Sequence, residues 1–253
     1  MNNIIIVYNR MSRNMVFTSA GDNTRFVEHW CSRDKQNYDI YVLYYGNNDT
    51  NFQLYESNVT FIEKSKGSKF QNFHKFWNAH PEIIDKYDRF FILDDDIEIT
   101  CDGINEMFET SKKYNLKICA PSFTNNSQVT YDITKHKDNI LLSYTNFVEV
   151  NTPLFTKNAL KLLMNIYDPI LIGWGIDFLY IWANDLHNKN SYAIVHKIQC
   201  RNPPTHTKKN KSREILLVKD AEIREKIWKK YASSIKCPDY FKPLEYLSIP
   251  LLE

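Results

Sequence analysis

The sequence predicts an α/β protein, one domain with a mostly parallel central sheet flanked by helices. Three observations carry that prediction. Short apolar runs alternate with helix-period segments through the first hundred residues. One such run, Arg89 to Leu93, leads straight into Asp94-Asp95-Asp96. At 253 residues and 43% hydrophobic, the chain is long enough to bury a sizeable core.

The elements follow in order. Ile4 to Tyr8 is a continuous apolar run of strand length, and Asp39 to Tyr45 is a second, rich in β-branched and aromatic residues. A helix is expected over Asn23 to Ser32 and a third strand over Val59 to Ile62. Phe70, Phe73, Phe76 and Trp77 recur at helical spacing over Lys69 to Ala79, and Pro81 opens a further helical piece through Ile84. Arg89 to Leu93 is the fourth strand.

Beyond it, Ile104, Met107 and Phe108 mark a helix, and Ile140 to Val150 alternates as a strand. Thr156 is placed to cap a helix carrying Leu160, Leu163 and Met164. A helix with Phe178, Ile181 and Trp182 begins close to Asp177, and Tyr192 to Cys200 reads as a strand. Asn202 to Arg213 is a polar, basic loop containing Pro203-Pro204. A last helix, Asp220 to Ala232, puts Ile223, Ile227, Trp228 and Tyr231 on one face. With no internal repeat, the expectation is one domain over 1–253. It comprises a nucleotide-binding half (1–100), an acceptor-side half (101–215) and a C-terminal helix and tail (216–253).

Composition narrows the function. The 32 Lys+Arg against 30 Asp+Glu leave a net charge of +2, which argues against a nucleic-acid partner. Five scattered cysteines without a CxxC pair read as reduced thiols. The apolar run near the N-terminus is too short for a signal peptide core, and no stretch approaches the roughly 18 apolar residues of a membrane span. A cytoplasmic location is expected, with a peripheral membrane contact left open. The 14% aromatic content fits either a filled core or ring-stacking surfaces.

The acidic triplet is the strongest chemical signal. Three adjacent carboxylates at a strand end repel one another unless a cation or water screens them. Mg²⁺ and Mn²⁺ take oxygen ligands, and Mg²⁺ sites combine one or two carboxylates with substrate phosphates. In extended backbone Asp94 and Asp96 share one side and Asp95 takes the other. Asp94 and Asp96 are therefore the expected metal ligands, and Asp95 is assigned to a ribose hydroxyl or a structural contact. A solvated turn that caps the next helix is the alternative.

Gly173-Trp174-Gly175 precedes Asp177 and uses two of only six glycines. Trp174 offers a stacking face for a sugar. A carboxylate in a first helical turn is favoured by the helix dipole and is expected to stay ionised, which suits a general base. The alternatives are an N-cap and a core plug. Lys69, after Lys66-Gly67-Ser68, is a candidate phosphate contact without the full P-loop pattern. His196 reads as a hydrogen-bonded strand histidine, and His206 lies in the basic loop, able to reach a diphosphate or a metal if that loop closes.

The acidic triplet, with GWGID ahead of a helix, resembles a GT-A type glycosyltransferase and its DxD element. The succession HPEIIDKYDRFFILDDDIEI, ICAPSF, NFVEVNTPLFTKNAL, GWGIDF and YAIVHKIQ is similar to an uncharacterised group of plant and bacterial GT-A-like proteins. That resemblance implies a GT-A (Rossmann-like) domain and a nucleotide-sugar donor, with a UDP-sugar the favoured one. It also implies Mn²⁺ or Mg²⁺ on Asp94–Asp96, acting as a Lewis acid on the leaving diphosphate, and a glycan or glycolipid acceptor. The transferred group would be of hexosyl or N-acetylhexosaminyl type, in polysaccharide biosynthesis. Asp177 would be the base of an inverting reaction; a retaining reaction would leave it positioning the acceptor. Tyr8 and Asn9 would border the nucleotide base, Lys69, Asp94 and Asp95 the rest of the donor, and Gly173, Trp174 and Gly175 the acceptor. A late metal-binding histidine is implied about where Asn202 stands, so His206 is the substitute third ligand. A sugar nucleotidyltransferase and a non-catalytic carbohydrate-binding protein are the rival readings.

Overall fold

The structure, a computed structural model, describes residues 13–32, 34–204 and 219–252. Four strands form its first half: β1 (Asn14–Ala20), β2 (Asp39–Tyr44), β3 (Phe61–Lys64) and β4 (Arg89–Asp94). They pair in parallel in the order β3-β2-β1-β4. Helices α1 (Phe26–Trp30), α2 (Asp49–Glu56), α3 (Lys69–Ala79) and α4 (Pro81–Ile84) connect them. The second half adds α5 (Cys101–Lys113), β5 (Ile118–Phe123), a 3₁₀ turn (Asp132–Thr134), β6 (Ile140–Thr145), β7 (Leu154–Thr156), α6 (Lys157–Met164), α7 (Ile176–Ala183) and β8 (Tyr192–Cys200). Helix α8 (Ala221–Ser234) and β9 (Glu245–Pro250) complete it.

The nine described strands make one sheet, β3-β2-β1-β4-β7-β5-β8-β6-β9. The expectation of a mostly parallel sheet is corrected: it is mixed. Short β7 inserts antiparallel between β4 and β5, and β6 runs antiparallel to both β8 and β9. Three-residue β7 carries little period-2 signal of its own, and its place comes from pairing with distant strands.

Side chains alternate across the sheet into two cores. Phe17, Phe90 and Ile92 pack under α3, α6 and α7 on one face; Val16, Phe91 and Leu93 pack under α1 and α5 on the other. Aromatic rings fill much of both cores, as in the edge-to-face pair Phe17–Phe73 at 4.8 Å. The aromatic excess is therefore chiefly core.

Several elements match their expected bounds, among them α3, α4 and β8. Others are corrected. The run Ile4 to Tyr8 lies outside the described residues, and so do Tyr8 and Asn9. The first described strand is β1, whose apolar signal is broken by Thr18 and Ser19 although both are buried. Helix α1 covers only the middle of its expected range, and β3 starts at Phe61. The strand expected over Ile140 to Val150 ends at Thr145. There Thr145 Oγ1 accepts from the Phe147 amide at 3.0 Å, and Asn146 bonds to Lys242 and Leu244. The exposed side chain of Ile223 departs from the apolar face expected of α8. Among the described residues, no helix is long and apolar enough to cross a membrane.

Candidate active site

The carboxyl ends of β1, β2 and β4 share one edge of the sheet, where an α/β fold places its ligands. Strand β4 is buried through Leu93 and emerges at Asp94. The Asp94 amide donates to Asn151 O at 2.9 Å, and the chain turns so that Ile97 N reaches Asp94 O at 3.2 Å. Asp95 Oδ2 accepts from the Gly21 amide at 2.8 Å, and Thr24 Oγ1 donates to Asp95 O. Asp94 instead meets Lys69, so these two neighbours serve opposite sides of the strand end. Beyond β1, burial raises the proton affinity of Asp22, but hydrogen bonds from Tyr44, Asn47, Asn48 and Asn51 outweigh it and hold the carboxyl below its ordinary range.

Lys69 opens α3 behind Ser68, whose amide donates to Gln71 Oε1 at 2.9 Å. Its ammonium is 2.8 Å from Asp94 Oδ1, 2.7 Å from Val150 O and 3.2 Å from both Ile92 O and Asn151 O. An ammonium has three protons, and four acceptors surround it. Burial pulls Lys69 below the ordinary lysine range, opposed by the charges of Asp94, Asp96 and Asp95. In the structure Lys69 ties β4 to the segment before β7.

The same segment reaches helix α7. Tyr180 Oη donates to Val148 O, and the Phe147 ring lies 5.5 Å from Phe178. Helix α7 begins after Gly173 (φ 73°) and Gly175 (φ 77°). A Cβ on Gly175 would sit 2.1 Å from the Trp228 ring, so only glycine fits between α7 and α8. Gly175 caps the helix, which places Asp177 in the first turn rather than at the cap. Trp174 is 38% exposed and is not a core plug; the Arg224 guanidinium lies 5.9 Å from its ring centre.

Asp177 is only 7% exposed. Burial raises its pKa to about 7, against the lowering effect of amide hydrogen bonds from Phe178 and its own backbone. The expectation that the helix dipole keeps it ionised is corrected, because desolvation is the larger effect. An acid titrating near neutrality is well matched to taking a proton from a hydroxyl.

The expected third metal ligand is absent from the described residues, since His206 lies outside them. Asn202 is buried: its Nδ2 donates to Gln128 O at 3.0 Å, and its carbonyl accepts from Gln128 N at 2.8 Å. Arg201 pairs with Glu98 through two backbone hydrogen bonds of 2.9 Å and an ion pair, bringing the end of β8 beside the acidic triplet. His196 is buried at 3.0 Å from Ser143 Oγ, and desolvation lowers it to about 4. Among the described residues, no three His, Cys, Asp or Glu side chains gather as a metal cage. The half-exposed triplet nevertheless suits Mg²⁺ or Mn²⁺, which bind through one or two carboxylates and draw further ligands from phosphates and water.

Sequence reasoning missed Glu149 and Asn151. Both lie in an irregular stretch, and Glu149 stands between two valines with no local pattern to mark it. Asp22 carried a weak signal, as the carboxylate after Gly21 at the end of an apolar run.

This architecture is that of a known α/β fold. The chain superposes on S. aureus TarS (residues 1–349) in complex with UDP-GlcNAc with a TM-score of 0.59 at 10% identity, covering 90% of this chain and 68% of that one. The corresponding complex with UDP gives 0.52 at 11% identity, covering 90% and 67%. A longer TarS structure gives 0.54 at 9% identity, and the chain spans only 40% of its length. At such identities the likeness is one of fold. In sequence, residues 7–144 match the family described as "Protein of unknown function (DUF707)", more than half of the chain, and the protein belongs to that family. No curated protein matches it in sequence.

Proposed function

We propose that the protein is a glycosyltransferase that moves a sugar from a nucleotide-diphosphate-sugar, a UDP-sugar in the first instance, to a glycan or glycolipid acceptor. One observation carries this reading. A single segment, residues 147–152, joins an acidic triplet at the carboxyl edge of the sheet to a buried carboxyl titrating near 7 at the start of α7. The fold shared with structures that hold UDP-GlcNAc and UDP supports the donor class.

Asp94 and Asp96 would hold Mn²⁺ or Mg²⁺ with the donor diphosphate, and Asp95 would border the donor while bracing β1. When bound, the ion supplies charge stabilisation for the leaving diphosphate. Asp177 would take the proton of the acceptor hydroxyl as its oxygen bonds to the sugar carbon and the diphosphate departs with its electron pair. Gly173 and Gly175 shape the turn that presents Trp174 to the acceptor.

The test is a screen of nucleotide-sugars for nucleoside diphosphate release, with and without Mn²⁺, on the wild type and Asp96→Ala. Metal-dependent release that is lost in the variant is expected; no release from any donor would sink the proposal. The exposed Trp174 ring favours one second reading, a non-catalytic sugar-binding protein. That reading requires sugar binding that survives both EDTA and Asp96→Ala.

A further inference from the structure

Helix α8 leaves apolar side chains uncovered next to the turn that presents Trp174. Tyr231 Oη donates to Ile166 O, and two turns earlier Arg224 Nη1 donates to Ile172 O at 3.4 Å. The segment 166–172 therefore runs antiparallel alongside α8, and Ile170 within it is 52% exposed. At the start of the helix Ile223 is 48% exposed, and the neighbouring Arg224 holds its guanidinium over the exposed ring of Trp174.

Charge is segregated around the helix. Arg224, Trp228 and Ala232 form its buried line. On one side of that line Trp228 Nε1 donates to Asp239 O at 2.9 Å, so the C-terminal tail borders the flank that carries Glu222, Glu225 and Lys229. There Lys229 pairs with Glu225 at 2.8 Å. The opposite flank, beside segment 166–172, carries Ile223, Ile227, Lys226 and Lys230. Both of these lysines are exposed, and neither has an ion-pair partner among the described residues. The two aspartates at the borders of the seam turn to backbone amides: Asp168 accepts from Ile170 N and Asp220 from Glu222 N, each at 2.8 Å.

Single exposed apolar residues are ordinary. Two isoleucines and a tryptophan along one seam, bordered by two lysines and no glutamate, make a different pattern: apolar groups for the acyl boundary and cations for anionic headgroups. We propose that this flank of α8 and segment 166–174 dock on the surface of a bilayer containing anionic lipids. Ile170, Ile223 and Trp174 enter the headgroup region, and Lys226 and Lys230 meet the headgroup phosphates. The turn at Gly173–Gly175 then faces the bilayer, which selects a glycolipid as the acceptor; that last step rests on the proposed glycosyltransferase reading, and the docking does not.

The experiment is flotation of the full chain with vesicles of phosphatidylcholine, alone or with about one third phosphatidylglycerol. Binding to the anionic vesicles only is expected. Lys226→Gln with Lys230→Gln should weaken it by about thirtyfold, and Ile170→Ser with Ile223→Ser by at least about tenfold. No binding to anionic vesicles overturns the proposal, and so does binding that either double variant leaves unchanged. A dimer in solution that Ile223→Ser dissolves, without vesicle binding, would give the face to a second copy of the chain and overturns it as well. The four substituted side chains lie at the surface, and an unchanged thermal midpoint identifies the variants as folded. Flotation needs no turnover, so vesicle binding by a chain that releases no nucleoside diphosphate would reject the glycosyltransferase reading and leave the docking surface standing.

Discussion

Lys69 and Asp94 form an ion pair of 2.8 Å between a nearly buried ammonium and a half-exposed carboxylate, and the ammonium also donates to the carbonyls of Ile92, Val150 and Asn151. The pair joins the first turn of α3, the end of β4 and the segment leading into β7, three pieces far apart in sequence. Its chemistry is that of a fixed internal cation beneath the acidic triplet.

Lys69→Met should therefore cost about 1–2 kcal/mol of stability, because it leaves buried carbonyls without their donor while the half-exposed Asp94 keeps its water. The double variant with Asp94→Asn should be less destabilised than the sum of the single variants by at least about 1 kcal/mol. Urea unfolding of the four proteins measures both quantities. Additive effects would show that the two residues do not act as a pair.

Asp177 makes a prediction of stability as well as activity. Its folded pKa of about 7 lies above the ordinary 3.8, so the folded state binds a proton that the unfolded state releases between those values. Its contribution to stability is full below about pH 4 and is lost as pH rises to 7, at up to about 1.4 kcal/mol per unit. Asp177→Asn should flatten that slope and be the more stable protein at pH 8. In the proposed reaction the same variant should lower sugar transfer by at least about a hundredfold. UDP binding, read by calorimetry, should change less than twofold.

Gly175→Ala places a methyl group against the Trp228 ring in a left-handed backbone. A loss of about 2 kcal/mol or more is expected, seen as a lowered thermal midpoint. Gly103→Ala, in α5 with an ordinary backbone, is the control and should cost less.

Trp174→Ala should raise the acceptor KM by about fivefold, the equivalent of one stacking contact, with donor hydrolysis unchanged. Steady-state kinetics with acceptor varied at saturating donor separates the two. An unchanged acceptor KM would remove Trp174 from the acceptor site.

Much of the fold was legible in local pattern. Helix α3 shows its buried face in Phe70, Phe73 and Phe76, Pro81 marks the start of α4, and β8 reads as an unbroken apolar run up to His196. Strand β1 was not legible, because Thr18 and Ser19 are polar yet sit in the middle of the sheet, where Ser19 Oγ donates to Leu43 O at 3.3 Å. Helix α2 and strand β5 were also missed, as were β7 and β9, each of which is defined by partners far away in the chain. In the site, the acidic triplet, the glycine-flanked tryptophan and Asp177 stood out by residue type. The occupation of Lys69 did not, because it follows from contacts across more than twenty residues.

By itself, the sequence determined the elements with a strong local period, α3, α4 and β8 among them, and which residues carry charge or a stacking ring at their ends. Those properties depend on neighbours within a turn or a pleat. Only the tertiary structure decided that the sheet is mixed, that Lys69 faces inward to Asp94, and that Asp177 titrates near 7 rather than near 4. The reason is physical: strand order, ion pairing and desolvation are set by what packs alongside, and here that is segment 147–152, brought from one half of the chain against the other.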